Sequence, residues 1–376
     1  MKIWIGRRES DILTYTPNYF DYSITYYGSN KNNNFSFSTI NRDIPVYSKK
    51  FINFINKKIQ FIISASDKYE LYFYSIYAKN KLVEMYPIYC KHCKNCNDSR
   101  IINWLDNKTY TRLWFSNSVQ VPKFSLLSKS ECTYENLKAK FPKFDEYVLQ
   151  LNYSAGGDGT YKINERNKDV NNQLNQNYPY LVSPYYAPSI SACCHVIIGK
   201  DETIIFPLGE QIISKYDSRL SYRGTRYDLE KRISSCTLKK CYDFIETLSS
   251  LLSINGYRGI CGYDFLIYKG SPLFIEVNPR YMGSSYLINY MLSINHFPSL
   301  FEINTMAFEN KSLKELKVSI HNIETNFETQ TLLNESGKIF SNSIEIPNLK
   351  HLYDDGLLKS KIVFPNALLY RYFYEL

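Results

Sequence analysis

The sequence lacks any hydrophobic run long enough to cross a membrane. Its apolar residues are dispersed, and no run approaches the roughly 18 consecutive apolar residues that a spanning helix needs. It also lacks the order of a secretory signal, because Arg7 and Arg8 follow a short apolar segment instead of preceding a longer one. We therefore expect neither a membrane protein nor a secreted one.

A polybasic segment is absent as well, although basic residues outnumber acidic ones. The 45 Lys and Arg against 36 Asp and Glu give a formal net charge of +9, and these cations are spread over the whole length. Dispersed positive charge favours a solvated surface with an anion-binding cleft over a nucleic-acid interface. Small anionic partners are therefore expected. A basic, Tyr-rich nucleic-acid binder is the alternative, and it predicts steeply salt-dependent binding.

The nine cysteines lack the pattern of a disulfide framework, since their number is odd and they are scattered over a large chain. This usage favours the reducing cytoplasm as the location. Cys90, Cys93 and Cys96 form a C-x2-C-x2-C motif with His92 inside it. Structural zinc usually takes four ligands in two separated pairs, and the sequence has no second pair nearby. Free thiols are favoured here, and the question of a bound metal stays open.

At 376 residues, 44% of them hydrophobic and 22% charged, the chain has the composition of a globular protein with two or three domains. We predict strands near 2–5, 22–27 and 59–63, and a helix over 67–80. Strands and helices that alternate at these lengths indicate a small α/β domain with a parallel sheet. No glycine fingerprint of a dinucleotide-binding fold follows these strands.

The stretch from Gly256 to Ser284 predicts a β-hairpin that turns at Lys269-Gly270-Ser271-Pro272. If the hairpin is centred on Gly270, Asp264 lies directly opposite Glu276. Because side chains alternate between faces, one face carries polar groups: Asp264, Glu276, Asn278 and Arg280. The other face carries apolar groups: Phe265, Ile267, Leu273, Ile275 and Val277.

Directly opposed residues in such a hairpin have Cβ atoms about 4.5–5.5 Å apart, where like charges repel. Two carboxylates at that distance favour a cation between them, and hard oxygen ligands suit Mg²⁺. The alternative is a surface hairpin whose acidic pair is simply solvated. The hairpin therefore predicts a metal site that the rest of the chain has to support.

A glycine-rich loop joins two predicted strands, at 147–151 and 160–163. The segment NYSAGGDGTYKI contains Gly156, Gly157 and Gly159. Glycine allows positive φ angles and lets backbone N–H groups approach phosphate oxygens closely. The spacing is not that of a P-loop, and a flexible turn would explain the glycines equally well.

Two further segments carry cations. A helix over 101–111 is predicted, with Lys108 near its end. The stretch 209–228 is predicted to be a loop, followed by an amphipathic helix over 229–255. The cations of this loop are Lys215, Arg219, Arg223 and Arg226. Such charges are usually solvated; alternatively, they form a lid that closes over a phosphate or carboxylate.

Four pieces in this order resemble the ATP-grasp superfamily over about residues 100–295. They are LDNK with Lys108, SAGGDGT, YLVSPYY and GYRGICGYDF…FIEVNPR, of which the last is the most specific. The resemblance implies an α/β and α+β fold in which two α+β subdomains clamp ATP after a small α/β domain. The implied domains are 1–100, 101–300 with subdomains 101–180 and 181–300, and an accessory segment 301–376.

The resemblance also implies roles for individual residues, with ATP and Mg²⁺ (or Mn²⁺) as cofactors. The implied metal ligands are Asp264, Glu276 and Asn278. The implied nucleotide-binding residues are Lys108, Gln150, Gly156, Gly157, Gly159, Thr160, and the backbone of Tyr185 and Tyr186. Arg280 would stabilise phosphoryl oxygens, and we add Arg223 of the cation-rich stretch as a second catalytic candidate.

Two positions depart from the superfamily pattern. Gln150 stands where a second phosphate-binding lysine is usual, and Ser183 stands where a glutamate usually meets the adenine amino group. A glutamine can donate to a phosphate oxygen but adds no charge, so we expect nearby cations to compensate. These departures motivate the hypothesis of a non-catalytic nucleotide-binding relative.

The activity that the resemblance implies is ATP-dependent ligation of a carboxylate to an amine through an acyl phosphate, with specialised metabolite biosynthesis as one setting. A ligase with a thiol or hydroxyl nucleophile is the alternative within the same fold. The expected substrates are small-molecule or peptide acids and amines, whose identity the sequence does not reveal. A homodimer is expected by analogy.

Overall fold

The computed structural model describes residues 1–13, 19–28, 36–39, 48–64, 68–154, 156–157, 159–174, 178–216, 218–320, 323, 325–333, 351–353 and 368–376. Within these residues the strands form two sheets, one of four strands and one of thirteen. No helix in this part of the chain has both the length and the apolar character needed to cross a bilayer.

The four-stranded sheet is parallel and lies near the start of the chain, with the order β3-β2-β1-β4. Its elements are β1 (Lys2–Arg8), α1 (Ser10–Leu13), β2 (Tyr22–Tyr27), β3 (Ser36–Ser38), α2 (Lys49–Ile63), β4 (Glu70–Phe73) and α3 (Ile76–Met85), followed by a 3-10 turn at Pro87–His92. Buried Ile3, Ile5 and Ile24 of the sheet form one core with Ile55 and Ile59 of α2. The parallel α/β arrangement agrees with the prediction.

Two predicted elements in this region are wrong. Residues 59–63 are the end of helix α2 instead of a strand, because buried Phe51, Ile52, Ile55, Ile59 and Ile62 recur at helical spacing. The helix predicted over 67–80 is a strand at Glu70–Phe73 followed by a helix that begins at Ile76. Ser75 caps that helix by accepting from Tyr77 N; residues 65–67 lie outside the described residues.

The next region packs helices against an antiparallel sheet with the order β7-β6-β8-β5. Its elements are α4 (Ser99–Leu105), α5 (Lys108–Phe115), β5 (Ser125–Leu127), α6 (Tyr134–Lys140), β6 (Tyr147–Leu151), β7 (Thr160–Ile163) and β8 (Tyr180–Pro184), with 3-10 turns at Lys129–Glu131 and Glu165–Gln173. Leu137 of α6 is buried with Leu149, Ile163 and Val182 of the strands. Strands β6 and β7 have the predicted bounds.

The sheet continues into a second antiparallel region with the order β14-β13-β9-β11-β12. Its elements are β9 (Ser189–Ile198), β10 (Thr203–Ile205), β11 (Gly209–Tyr216), β12 (Arg219–Arg226), α7 (Leu229–Arg232), α8 (Ser235–Ile254), β13 (Gly259–Tyr268), β14 (Ser271–Asn278) and α9 (Ser285–Ile294). Phe244 and Leu248 of α8 are buried with Cys194 and Phe265 of the sheet. Strand β12 meets β7 where Arg219 pairs with Tyr161.

The prediction that the cation-rich stretch 209–228 is a loop is therefore wrong. Most of 209–228 is the β-hairpin β11–β12, in which Glu210 pairs with Arg226 at one end and Tyr216 pairs with Arg219 at the other. The density of charged residues indicates a loop, whereas Arg219, Arg223 and Arg226 lie on a strand at exposed or half-buried positions.

The final elements fold back onto the sheet. They are α10 (Leu300–Phe308), α11 (Lys314–Ile320), β15 (Phe327–Leu333), β16 (His351–Tyr353) and β17 (Leu368–Glu375). Strand β15 pairs with β12 and with β17. The buried guanidinium of Arg371 on β17 donates to Asp11 Oδ1 at 2.8 Å and to the carbonyl oxygen of Gly283 at 3.2 Å.

Candidate active site

The hairpin β13–β14 pairs Asp264 directly with Glu276, as predicted. Beyond that pair the ladder shifts by one residue, because Phe265 pairs with Phe274 and leaves Ile275 as the extra residue of a β-bulge. The predicted apolar face is therefore wrong at this position. Phe274 packs in the core, 4.9 Å from the ring of Phe115, while Ile275 lines a large cleft.

The polar face of the hairpin forms a connected network in the cleft. Asn278 donates to Asp264 Oδ2 through Nδ2 at 3.0 Å, and Arg280 donates to Asn278 Oδ1 through Nη2 at 2.8 Å. Arg280 also donates to its neighbour, the carbonyl oxygen of Tyr281, at 3.1 Å. The structure thus brings Asp264, Glu276, Asn278 and Arg280 together.

Lys108 reaches this network from the first turn of α5. The predicted helix 101–111 is in fact two helices, since Asn107 caps α5 by accepting from Tyr110 N and Lys108 follows it directly. The buried Nζ of Lys108 lies 3.1 Å from Glu276 Oε2 and donates to the carbonyl oxygen of Ser154 at 2.8 Å. Burial alone would raise the pKa of Glu276, but the Lys108 ammonium, together with Asp264 and Arg280, offsets this and leaves the pKa below its usual value.

The two carboxyls of the hairpin differ in their ionisation. Burial, followed by the charge of Glu276, raises the pKa of Asp264 well above its usual value. Asp264 Oδ1 is buried and has no hydrogen-bond partner in the part of the chain that the structure describes. An orphaned carboxylate oxygen beside a second carboxylate fits a hard divalent cation. The Oδ1 of Asn278 accepts from Arg280 and would join the ligands by exchanging that bond. The donor set of Asp264, Glu276 and Asn278 therefore suits Mg²⁺.

The glycine loop lies against β12 at the edge of the cleft. Its glycines have positive φ angles of 68°, 83° and 64° at Gly156, Gly157 and Gly159. A Cβ added at Gly157 would meet the carbonyl oxygen of Leu220 at 2.4 Å, so only glycine fits there. Residues 155 and 158 lie outside the described residues. Thr160, also predicted for this site, pairs with Gln150 in the ladder, and both residues line the cleft.

The two tyrosines whose backbone is predicted to bind the nucleotide line the same cleft, and their contacts differ. Tyr185 N–H already donates to the carbonyl oxygen of Glu146 at 2.8 Å. Tyr186 accepts from Lys123 N at its hydroxyl, and its ring contacts the ring of Tyr268 at 5.1 Å between centroids. The carbonyl oxygen of Tyr186 accepts from Ser189 Oγ at 2.6 Å, so one backbone group of each tyrosine is already used and their contact with a nucleotide stays a prediction.

The sequence analysis missed Arg112, which lines the cleft between β8 and the β13–β14 hairpin. Its guanidinium donates to Gln150 Oε1 at 2.6 Å, to Ser183 Oγ at 2.9 Å and to the carbonyl oxygen of Ile275 at 3.1 Å. The compensating cation expected beside Gln150 is thus present. Arg112 follows Lys108 by four residues, so both lie on one helix face, and this spacing could have indicated that Arg112 also faces the site.

The structure does not bring Arg223 to the cleft with the other predicted residues. A register shift in β11–β12 pairs Ile212 with Gly224 and Ile213 with Tyr222, so Arg223 is the extra residue of a bulge. Tyr222, Thr225 and Arg226 of the same strand line the cleft instead. The catalytic role of Arg223 stays a prediction, and its position in the bulge disfavours that role.

The cysteine motif lies away from this cleft. Cys93 donates to the carbonyl oxygen of Tyr89 and Cys96 to that of Lys94, while Cys90 is exposed. Burial raises the pKa of Cys93 to about 11 and that of Cys96 to about 12. Among the described residues, no group of three or more His, Cys, Asp or Glu side chains is arranged to hold a metal ion.

Residues 105–284 match the family model described as an ATP-grasp domain. This part of the chain is an ATP-grasp domain. The match spans α5, the glycine loop, β8 and the β13–β14 hairpin, which are the pieces on which the predicted resemblance depends. The predicted family is therefore confirmed. No curated protein matches the sequence.

Solved structures extend the likeness to the whole chain. A carboxyaminoimidazole ribonucleotide synthase from Aspergillus clavatus, complexed with ATP, superposes with a TM-score of 0.65 at 12% identity over 100% of this chain and 93% of its own. The biotin carboxylase domain of a 2-oxoglutarate carboxylase from Hydrogenobacter thermophilus, with magnesium ADP and bicarbonate, gives 0.67 at 13% over 100% and 86%. An L-amino acid ligase from Bacillus licheniformis gives 0.63 at 12% over 99% and 92%.

At these identities the likeness establishes the fold. The predicted fold class, an ATP-grasp fold that follows a small α/β unit, is confirmed. The bound ATP and magnesium ADP of these structures are consistent with ATP and Mg²⁺ as the cofactors of this chain.

Proposed function

We propose that this protein is an ATP-dependent ligase that activates a carboxylate as an acyl phosphate and joins it to an amine. The observation that carries this proposal is the single cleft that gathers Asp264, Glu276, Asn278, Lys108 and Arg280. A facing carboxylate pair with two cations is suited to the transfer of a phosphoryl group, in which positioning and charge stabilisation supply most of the catalysis.

The reaction has two steps. A carboxylate oxygen of the substrate attacks the γ-phosphorus of ATP and the bond to ADP breaks, which gives an acyl phosphate. The nitrogen of an unprotonated amine then attacks the acyl carbon, phosphate leaves, and the amine proton passes to solvent. A bare carboxylate is a poor electrophile, and phosphorylation makes it a good one.

The residues of the chain divide the work by their positions. Arg280, which Asn278 and Tyr281 hold in place, would neutralise oxygens of the transferring group. Lys108 would contact a phosphate from the first turn of α5. Bound Mg²⁺, held by Asp264, Glu276 and Asn278, would withdraw negative charge from the phosphoryl group. The β11–β12 hairpin beside the glycine loop would limit the access of water, which otherwise hydrolyses acyl phosphates.

The acceptor substrates would bind where the cleft meets the parallel sheet. Arg7 and Arg8 at the end of β1, Tyr27 at the end of β2 and Tyr74 just after β4 line the cleft together with Arg280. Ligands of parallel sheets commonly bind at the carboxyl ends of the strands. The arginines favour a small acid as one substrate, and we infer a cytoplasmic setting from the nine free cysteines.

The experiment is an assay of ADP release from MgATP with a panel of carboxylic acids and amines, with the products identified by mass spectrometry. Acids that are substrates should also yield hydroxamates when hydroxylamine replaces the amine, because hydroxylamine traps acyl phosphates. An amide product supports the proposal, whereas a thioester or ester would assign the other nucleophile. Tight ATP binding without ADP release on any acid would indicate a non-catalytic nucleotide-binding protein.

A further inference from the structure

Arg112 is a buried cation whose charge nothing else in the site explains. It lies on α5 with 1% of its surface exposed, yet it forms part of the cleft wall. A side chain that costs several kcal/mol to bury while charged is normally paired with a carboxylate or another anion. Arg112 is therefore expected to have an anionic partner.

All its partners are neutral. A guanidinium has five N–H donors, and those of Arg112 reach Gln150 Oε1, Ser183 Oγ and the carbonyl oxygen of Ile275. Three donors are thus used and two remain, one on each terminal nitrogen. No carboxylate of the described residues forms an ion pair with Arg112; the acid whose charge acts on it, Glu276, is paired with Lys108.

The surroundings hold the guanidinium in one orientation. Gln150 comes from β6, Ser183 from β8 and Ile275 from the bulge of β14, so three strands fix its plane. Burial lowers the pKa of Arg112 to about 10, which still leaves it charged at neutral pH. A fixed, charged fork with two remaining N–H groups is suited to accept an anion with little further ordering.

The anion that this cleft takes is the phosphate chain of ATP. We propose that Arg112 is a nucleotide-binding residue whose guanidinium is the counterion of a nucleotide phosphate, and that Gln150 and Ser183 are positioning residues that hold it there. The inference rests on the binding of ATP and does not depend on which bond the enzyme makes. The competing explanation is that Arg112 is a structural strap, that is, a residue whose hydrogen bonds only hold α5 against the three strands.

Gln150→Glu separates the two explanations, because it supplies Arg112 with a carboxylate at the contact already present. If the charge of Arg112 serves a nucleotide phosphate, the variant should melt at a higher temperature without ligand and should bind MgADP at least about tenfold more weakly. Gln60→Glu, an exposed position on α2, is the matched control and should change neither value. A strap that gains an ion pair would be stabilised without any loss of MgADP affinity, and this result would overturn the proposal.

Removing the guanidinium tests the same point from the other side. Arg112→Met should weaken MgADP about tenfold or more by calorimetry and leave adenosine binding unchanged within about twofold, since adenosine carries no phosphate. Arg112→Met combined with Gln150→Lys should regain most of the MgADP affinity by placing a cation at the same spot. Arg100→Met, on α4 and largely exposed, is the control.

Equal losses of MgADP and adenosine binding would assign Arg112 to the shape of the pocket and contradict the proposal, as would an unchanged MgADP affinity. If Arg112→Met does not fold, the Gln150→Glu variant still distinguishes the two explanations, because glutamate has nearly the same side-chain volume as glutamine. None of these measurements requires turnover. Failure of the ligase proposal would leave them unaffected.

Discussion

Lys108 Nζ lies 3.1 Å from Glu276 Oε2, so the lysine predicted to bind phosphate is paired with a carboxylate predicted to bind metal. Both side chains are largely buried, with 5% and 16% of their side-chain surface exposed. Without ligand, the charges of these two residues therefore compensate each other. Binding of a metal and an anionic phosphate would let each charge exchange this partner for a new one, at little cost in uncompensated charge.

Lys108→Met should destabilise the metal-free protein by about 3 kcal/mol, because it leaves a buried carboxylate without its cation. The free energy of unfolding in urea, measured without divalent ions, gives this value. The double variant Lys108→Met with Glu276→Gln should lose clearly less than the sum of the two single losses. Additive losses would contradict the coupling of the two charges.

Asp264→Asn and Glu276→Gln should each abolish ADP release in the presence of the true substrates, since each removes a negative oxygen from the metal site. Rates can be compared at saturating ATP and at several Mg²⁺ concentrations. Asp243→Asn, an exposed carboxylate on α8, is the control and should retain full activity. Normal turnover by either hairpin variant would refute the assignment of the metal ligands.

Gly157→Ala and Gly156→Ala form a matched pair in the glycine loop. Both residues have positive φ, so each alanine carries a strain of about 1–2 kcal/mol. At Gly156 the added Cβ meets nothing within 4 Å, whereas at Gly157 it would collide with the carbonyl oxygen of Leu220. We expect Gly157→Ala to raise the KM for ATP by at least about tenfold and Gly156→Ala to raise it far less. Equal effects would show that the contact with β12 does not set the position of the loop.

The buried His195 predicts a pH dependence of stability. Burial lowers its pKa to about 3, and its Nε2 lies 2.9 Å from Ser285 Oγ. Since the unfolded chain binds this proton below about pH 6.5 and the folded protein does not, stability should fall by about 1.4 kcal/mol per pH unit as the pH drops from 6.5 toward 3.

Replacement of His195 by Gln should reduce that slope by about 1.4 kcal/mol per pH unit between pH 6.5 and 5, which corresponds to one proton. The free energy of unfolding in urea at a series of pH values measures the slope. His296→Asn provides the control, because His296 is exposed and asparagine tolerates its positive φ. An unchanged slope in the His195 variant would show that other groups carry the pH dependence.

Local signals explain which parts of the fold were predictable. The pairing of Asp264 with Glu276 is confirmed, but it does not follow from the turn alone. The turn pairs Tyr268 with Ser271, so strict alternation would place Asp264 opposite Ile275, and the bulge restores the predicted pair. The bulge at Ile275 could not be foreseen, since it depends on how Phe274 fits the core beside Phe115. The strand predicted at residues 59–63 is part of helix α2, because β-branched residues favour strands whereas their spacing here is helical.

The site was predictable where chemistry lies in contiguous motifs, and it was not where it depends on contacts between distant segments. Arg112 illustrates the second case, because its partners come from positions 38, 71 and 163 residues further along the chain. From the sequence, a single arginine on a helix is expected to be a surface cation, because the strands that bury it are distant in the chain. Arg223 shows the reverse, since a bulge in β12 removes a plausible cation from the cleft.

The contacts of Arg371 bear on how this protein can be engineered. Its guanidinium joins β17 to Asp11, which lines the cleft, and to Gly283, three residues beyond Arg280; it also stacks on the ring of Tyr286 at 3.8 Å. A truncation or fusion that displaces β17 would therefore disturb the wall of the cleft at Asp11 and Gly283. Purification tags are better tested at both ends, with KM values compared before either version is used for assays.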